Sequence, residues 1–337
     1  MGWSALWLLL LIVSMATSVS VGSAEVRFGD VWQVIAAHFL GRSGALDPAT
    51  DAIIWQLRLP RVLLGALVGA ALAGAGAVFQ GLLKNPLADP FILGVSSGSA
   101  LGAAIAVFTG WGVIWLGGWT VPVWAFLFGC LALLFVLQLS RLGGQLRTDT
   151  LILSGVVVQA FFGAMLTFVI AMASPVEIQR IQYWLMGSIA LREWSEAIVI
   201  APFLILGMIT VWLMSRSLNL FALGERSAGH LGISVQRTRL TLLVVATLMT
   251  AAAVSVSGTI GFVGFIIPHI IRMLTGPDHR VLLPVSALAG AVFLVWADTL
   301  ARTVLDPREL PIGVITALIG GPFFAWQLRR YTQGRQG

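Results

Sequence analysis

The sequence predicts an all-helical protein that crosses a membrane many times, with about ten transmembrane helices. Hydrophobic residues make up 58% of the 337 residues and charged residues 10%, and the mean hydropathy is +0.95. A soluble domain has about 25% charged residues. Apolar runs of about 18 residues or more recur along the chain, each long enough to cross a bilayer. The alternating pattern of a membrane β-barrel is absent.

The apolar runs predict the spans in order. They are 3–19, 59–83, 91–108, 121–139, 150–171, 197–214, 240–256, 261–274, 281–300 and 312–326. The first run is followed by small residues, as a signal peptide is, but it lacks the basic leading segment. We therefore expect it to remain as a span. With ten spans, both termini lie on the same side of the membrane.

Two connections and one span carry further patterns. An amphipathic stretch near 31–40 is expected to lie along the membrane surface. A polar segment at 174–188 contains Tyr183 and Trp184, a pair typical of a membrane interface. The second span has a small residue at every fourth position, which predicts the close approach of another helix. These residues are Gly65, Gly69, Ala73, Ala77 and Gly81.

A polar island at residues 215–239 interrupts the apolar pattern. Its apolar residues are spaced for two short helices, and Gly224, Gly229 and Gly232 punctuate them. A plain connection between helices needs only a few residues. The island is therefore predicted to be a docking surface for a partner protein.

The distribution of charge orients the chain. With the amino terminus inside, the inner loops carry more cations than acids, and the outer segments carry slightly more acids than cations. Because Lys and Arg concentrate in cytoplasmic loops, the island and both termini are predicted to lie in the cytoplasm. The net charge of +6 comes with no basic run, so no nucleic-acid partner is expected.

A weak internal repeat is also present. Phe79-x-Gly81 precedes Asn85-Pro86, and Phe262-x-Gly264 precedes Pro268. This internal similarity suggests an inverted repeat that relates spans 2–5 to spans 7–10, an arrangement common in transporters.

The chain has no ATP-hydrolysis motif of its own. A P-loop ends in Gly-Lys-Ser/Thr, whereas Lys84 is the only lysine and follows Leu83. Uphill transport would therefore use an ion gradient or a separate ATPase. The chain is not expected to be an enzyme, and Cys130, the only cysteine, excludes an intrachain disulfide.

Ion coupling normally requires ionisable residues inside the spans. The candidates here all lie near the ends of predicted spans, which favours a partner ATPase and keeps an ion-coupled secondary transporter as the alternative class. They are Asp149, His269, Asp298 and Arg302.

A set of motifs runs through nearly the whole chain. They are Leu57-Arg58-Leu59-Pro60-Arg61; Gly81-Leu82-x-x-Asn85-Pro86-Leu87-Ala88-x-Pro90; Leu93-Gly94-Val95-Ser96; Tyr183-Trp184-Leu185-Met186-Gly187; Ala222-Leu223-Gly224-Glu225 with Ala228-x-x-Leu231-Gly232; Gly258-x-Ile260-x-Phe262-Val263-Gly264; Pro268-His269-x-x-Arg272; Gly276-x-Asp278-His279-Arg280; Ala297-Asp298; Glu309-x-Pro311-x-Gly313; and Gly320-x-Pro322-x-Phe324. In residues, order and spacing, the set resembles the permease subunits of FecCD-type ABC importers for iron chelates and cobalamin.

The resemblance implies one permease domain over residues 1–337, in the cell (inner) membrane of a bacterium. It implies a second copy of the chain, two cytoplasmic ATP-binding subunits and an extracytoplasmic solute-binding protein. ATP and Mg would lie on the partner ATPase, and neither a cofactor nor a metal site is expected in this chain. The expected substrate is an iron chelate, such as a ferric siderophore or haem, with cobalamin as the alternative.

The resemblance also assigns candidate site residues. The segment at about 218–236 is expected to couple the chain to the ATPase. The residues assigned to this role are Phe221, Leu223, Gly224, Glu225, Arg226, Ala228, Leu231 and Gly232. Docking of the binding protein falls on Arg58, Arg61 and Arg302, for which anchoring at the membrane interface is the alternative. Closure of the cytoplasmic end falls on Asn85, Leu87, Thr148 and Asp149, although the acid at 149 departs from the small polar residue expected there.

The fifth span carries a stripe of residues at steps of four. Gln159, Gly163 and Thr167 continue it from Gly155. The stripe is expected either to line the translocation pathway, as the resemblance implies for this helix, or to form a close helix–helix contact.

Overall fold

Helices account for most of the chain, and the described residues contain no strand. The computed structural model describes residues 2–22, 26–41, 47–141, 146–190 and 192–333. The α-helices are α1 (Gly2–Ser20), α2 (Phe28–Phe39), α3 (Pro48–Asp51), α4 (Leu59–Leu82), α5 (Val95–Thr109), α6 (Val113–Leu116), α7 (Thr120–Ser140), α8 (Thr148–Met172), α9 (Pro175–Leu185), α10 (Trp194–Leu213), α11 (Ser215–Ala222), α12 (Glu225–His230), α13 (Val235–Ser257), α14 (Val263–Thr275), α15 (His279–Thr303) and α16 (Ile312–Gln333).

Seven helical segments in the described chain are long and apolar enough to cross a membrane. They are α1, the continuous segment Pro48–Leu82 that ends with α4, the segment Val113–Ser140 that ends with α7, and α8, α10, α13 and α15. Three shorter apolar helices are α5, α14 and the Ile312–Gln327 part of α16. The all-helical membrane fold is confirmed, whereas the number of crossings and the inverted repeat stay predictions.

The start of the third predicted span is wrong. Residues Pro90–Leu93 form a 3-10 helix, and Gly94 then adopts a left-handed conformation with φ of 79°. Because that conformation ends the short helix and turns the chain, α5 begins only at Val95. The second predicted span, in contrast, extends backwards through a π-helix at Ala52–Arg58 to Pro48.

Two polar connections are themselves helical. The predicted amphipathic stretch forms α2. The polar segment at 174–188 contains α9, which begins with a capping box between Ser174 and Glu177. In this motif the two side chains accept hydrogen bonds from each other's backbone N–H groups, which satisfies donors that the first helical turn leaves open.

Helices α4 and α15 form the centre of the bundle. Nearly all of α4 is buried, and a side chain on Gly69 would overlap the carbonyl group of Gly290 in α15. Gly76 likewise contacts the backbone of Gly264 in α14. The small-residue stripe in the second predicted span therefore does permit close helix packing, as its spacing predicted.

The α4–α15 pair defines two ends of the molecule. One end, called the arginine end below, carries Arg58, Arg61 and Arg302. The other, called the island end, carries the polar island at residues 215–239. Arg61 lies in the first turn of α4 and Gly81 in the last turn, about 30 Å apart along a helix that rises about 1.5 Å per residue.

Candidate functional site

Arg61 is held at the arginine end by two acids from distant parts of the chain. Its Nη2 lies 2.8 Å from Oδ1 of Asp298, and its Nη1 lies 2.9 Å from Oε1 of Glu309. The Asp298 side chain is 2% exposed, whereas that of Glu309 is 44% exposed. Burying a carboxylate is unfavourable unless it is paired, and Asp298 is paired with Arg61 and, at 3.8 Å, with Arg302.

Arg58 and Arg302 bind the end of α1. Arg58 Nη1 donates to the carbonyl oxygen of Val19 at 2.8 Å, and Arg302 Nη2 donates to the carbonyl and hydroxyl oxygens of Ser18. Both arginines are largely buried. Their positions at the ends of helices agree with the sequence analysis, but both guanidinium groups already have partners within the chain.

These three arginines line a single cavity of about 720 Å³. A fourth arginine, Arg192, also lines it and lies 3.5 Å from Glu196. The acids in its wall are Glu193, Asp306 and Glu309. The structure therefore brings the predicted docking residues together, while their docking role stays a prediction. Nothing local in the sequence singled out Arg192.

The island folds as two short helices, α11 and α12, as its spacing predicted. Gly224 between them has φ of 111°, and Gly232 after them has φ of 84°, conformations that favour glycine. Gly229, predicted to separate helices, lies inside α12.

The apolar residues of the island divide into two sets. Phe221 and Ala228 are buried in the protein's own core, so they attach the island to the bundle. Leu223 and Leu231 are 68% and 62% exposed. Among the predicted coupling residues, the side chains of Glu225 and Arg226 lie outside the described residues.

A second cavity, of about 820 Å³, lies beside α5 and α8. Its apolar wall includes several aromatic rings: Phe91, Phe262, Phe265 and Phe324. Its polar groups are few: Asp89, Ser96, Ser97, Gln159 and Thr259. A large, mainly apolar cavity with few polar groups is typical of a site for a bulky ligand.

Two polar side chains shape this cavity at the 3-10 helix. Asp89 Oδ1 accepts a hydrogen bond from the backbone N–H of Phe91 at 2.7 Å, and Gln159 Nε2 donates to the carbonyl oxygen of Phe91 at 2.8 Å. Burial raises the pKa of Asp89 to about 6, against the hydrogen bond from Phe91, which lowers it.

The predicted gate residues are only partly brought together. Leu87 and Gln159 line the cavity. Asn85 precedes Leu87 by two residues in the turn after α4. Its side-chain oxygen accepts a hydrogen bond from the backbone N–H of Leu87 at 2.9 Å, which stabilises that turn. Thr148 and Asp149 begin α8, and Asp149 is exposed.

The stripe along α8 also divides. A side chain on Gly155 would overlap the carbonyl oxygen of Ile92, so that end of the stripe packs within the chain. A Cβ added at Gly163 would meet no atom within 4 Å, and Thr167 is exposed and donates to the Gly163 carbonyl at 3.0 Å. The helix-packing interpretation therefore applies at Gly155, whereas lining of the translocation pathway by Gly163 and Thr167 stays a prediction.

Known proteins resemble this chain along almost its whole length. The ABC transporter permease protein YvrB of Bacillus subtilis is 47% identical over 96% of this chain and 92% of its own length. The cobalamin import system permease BtuC of Halobacterium salinarum is 48% identical over 83% of this chain and 74% of its own. The hemin transport system permease HmuU of Yersinia pestis is 38% identical over 98% and 96%.

A solved structure has the same fold. It is described as an ABC transporter of metal-chelate type in an inward-facing conformation. It matches with a TM-score of 0.85 and 32% identity, over 97% of this chain and 98% of that one. The FecCD transport family model matches residues 10–330. This membrane-spanning chain is therefore a member of the FecCD transport family, the permease subunits of ABC importers.

Proposed function

We propose that this permease passes an iron chelate, such as a ferric siderophore or haem, from an external binding protein to the cytoplasm. The observation that carries the proposal is the cavity of about 820 Å³ in a chain of this family. Its volume has room for a bulky chelate, and its mainly apolar, aromatic wall with few polar groups is typical of a site for such a ligand.

We propose that a second copy of the chain covers the exposed face of α8. That helix borders the cavity through Gln159, and its outward residues are large and apolar. Leu153, Phe161 and Phe168 are all more than half exposed. An apolar face next to the cavity supports a pathway closed between two copies, whereas lipid would leave the cavity open on that side.

The remaining partners follow from the two ends of the molecule. Two ATP-binding subunits, which carry ATP and Mg, would dock at the island end through Leu223 and Leu231. An external binding protein would dock at the arginine end. This orientation puts the island and both termini in the cytoplasm of a bacterial cell with the chain in its inner membrane, as the excess of cations in the island-end loops supports.

Cobalamin is the second candidate substrate. The relative named for cobalamin import is 48% identical to this chain, and the relative named for hemin transport is 38% identical. The described residues contain no group of three or more His, Cys, Asp or Glu side chains that could hold a metal ion. The cavity wall has few polar groups to distinguish one chelate from the other, so we expect selection between them to depend mainly on the external binding protein.

The test is ATP hydrolysis by the permease reconstituted with its ATPase and binding protein. Binding protein loaded with a ferric siderophore or haem is expected to stimulate hydrolysis and drive chelate uptake. Stimulation by cobalamin alone would reassign the substrate and keep the transporter class. Uptake driven by a proton or sodium gradient, with no ATPase present, would overturn the proposal in favour of a secondary transporter.

A further inference from the structure

Asn219 in the island uses both of its side-chain polar atoms to hold the turn before α15. Its Nδ2 donates to Oδ1 of Asp278 at 2.6 Å, and its Oδ1 accepts from the backbone N–H of His279 at 2.9 Å. The same Oδ1 lies 2.8 Å from Nδ1 of His279. We call Asn219, Asp278 and His279 the clamp.

Other contacts hold the clamp in this geometry. Asp278 Oδ1 also accepts from the N–H of Arg280 at 3.0 Å, which caps the start of α15. These hydrogen bonds lower the pKa of Asp278, so the acceptor is a carboxylate at neutral pH. Trp212, at the end of α10, donates to the carbonyl oxygen of Arg280 at 3.3 Å. Trp212 in α10 and Asn219 in α11 therefore both bind the backbone or side chains at the start of α15.

The clamp is continuous with the central helix pair. The buried His279 ring packs on α4, because a side chain on Gly81 would come within 2.6 Å of its Nε2. Farther along the pair, Gly69 meets Gly290 with no room for a side chain on either. Contacts this close leave two helices little freedom to slide independently.

The same pair reaches the arginine end. Helix α15 has 25 residues, a length of about 37 Å. Near its far end, Asp298 pairs with Arg61 of α4 at 2.8 Å, and Arg302 binds Ser18 of α1. The α4–α15 pair is thus joined at both ends and in the middle, and each end meets a different proposed docking surface.

We propose that the α4–α15 pair transmits movement between the island end and the arginine end, and that Asn219 is the positioning residue that attaches the island to it. The proposal rests on the proposed function, because a permease driven by an ATPase at the island needs such a connection. Phe221 and Leu218 hold the island by apolar contact alone. Apolar contact permits sliding, whereas three directional hydrogen bonds fix the position of α11 against α15.

The first test is Asn219→Ala, with Ser217→Ala as its matched control. Ser217 lies on the same helix and makes no side-chain hydrogen bond within the described chain. In the full complex, Asn219→Ala is expected to lower the ratio of stimulated to basal ATP hydrolysis by at least about five-fold, the lower range of coupling between sites. Coupling between binding sites is reciprocal, so the effect of nucleotide on binding-protein affinity and the effect of binding protein on nucleotide affinity should both weaken, by the same factor. A general packing defect would not change that quantity selectively.

The second test exchanges the clamp's charge. Asn219→Asp places a second carboxylate against Asp278 and is expected to impair stimulation more than Asn219→Ala. In the double variant Asn219→Asp with Asp278→Asn, the amide at 278 can donate a hydrogen bond to the carboxylate at 219. This variant is therefore expected to recover stimulation.

The outcomes separate this proposal from the function on which it rests. If neither the wild type nor Ser217→Ala is stimulated, the proposed function fails. If both are stimulated and Asn219→Ala behaves like them, the clamp has no transmitting role. Loss of assembly in Asn219→Ala, with no recovery in the exchanged variant, would make Asn219 a folding residue and also overturn the proposal.

Discussion

Replacing Gly320 with alanine is expected to destabilise the protein and to push Phe262 into the larger cavity. Gly320 lies in α16 against the Phe262 side chain, and an added Cβ would lie 2.6 Å from the Cβ of Phe262 and closer still to its ring. Phe262 has φ of 70°, a left-handed conformation that is unfavourable for a bulky residue. Its ring also lines the cavity.

The magnitude follows from these distances. Carbon atoms pack best at about 3.5–4.0 Å, so residue 262 would have to move by about 1 Å or more. Rotating the ring cannot remove the clash, because the Cβ of Phe262 is itself too close. Overpacking of this kind costs about 1–3 kcal/mol. Gly321→Ala is the matched control: a Cβ there has no neighbour within 4 Å, and alanine is favoured over glycine in a helix by about 1 kcal/mol.

The assay compares thermal unfolding and binding-protein-stimulated ATP hydrolysis in the two variants. Gly320→Ala should unfold at a lower temperature and hydrolyse less when stimulated, whereas Gly321→Ala should match or exceed the wild type. Adding Phe262→Gly to Gly320→Ala removes the three nearest clashing atoms, all of which belong to the Phe262 side chain, and should recover part of the lost stability. Equal behaviour of the two alanine variants would refute this account of Phe262 and its cavity.

Three further predictions concern the island, the cavity and α8. Leu223→Asp with Leu231→Asp should release the ATPase during purification and leave permease unfolding unchanged, because both side chains are exposed; retained co-purification would contradict this. The pKa of Asp89 is raised from 3.8 to about 6, so the wild type should lose stability as the pH rises through that window and stay level above it; thermal unfolding of Asp89→Asn should lack this slope. Thr167→Cys, in a Cys130→Ser background, should cross-link between copies or react with water-borne thiol reagents depending on nucleotide; no labelling in any nucleotide state would assign Thr167 to the lipid face.

Features that depend on local sequence were largely predictable. Run length and hydropathy located ten apolar helices to within a few residues at most boundaries. Four-residue spacing of small side chains identified α4 as a closely packed helix, and the spacing of apolar residues in the island indicated two short helices. These patterns reflect the period of the helix and the conformations open to glycine, which neighbouring residues determine.

Features that depend on distant parts of the chain were not predictable in this way. Arg61 and Asp298 are separated by 237 positions, and Asn219 and Asp278 by 59. No periodicity relates such residues, because their contact depends on how α4, α11 and α15 pack. The same reason applies to the island, where Leu223 and Leu231 are exposed but Phe221 is buried. Which apolar side chains become covered depends on how the helices of the bundle pack. The break at Gly94 was missed because the flanking residues are apolar enough to continue a span.

At the arginine end, the contact between Arg61 and Glu309 is one that a docking protein could exchange. Arg58 and Arg302 are largely buried and donate to the end of α1, and the Asp298 partner of Arg61 is 2% exposed. Glu309 is different, because it binds a single Arg61 nitrogen and remains 44% exposed. Because the Glu309 side chain is exposed, a carboxylate on a partner could exchange with Glu309 more readily than with the buried Asp298. Displacing Asp298 from Arg61 would instead break a buried pair, at a cost of about 3–5 kcal/mol, and leave its carboxylate only the longer contact with Arg302 at 3.8 Å. Docking by carboxylates would therefore take the place of Glu309 and leave Asp298 to hold α4 and α15 together.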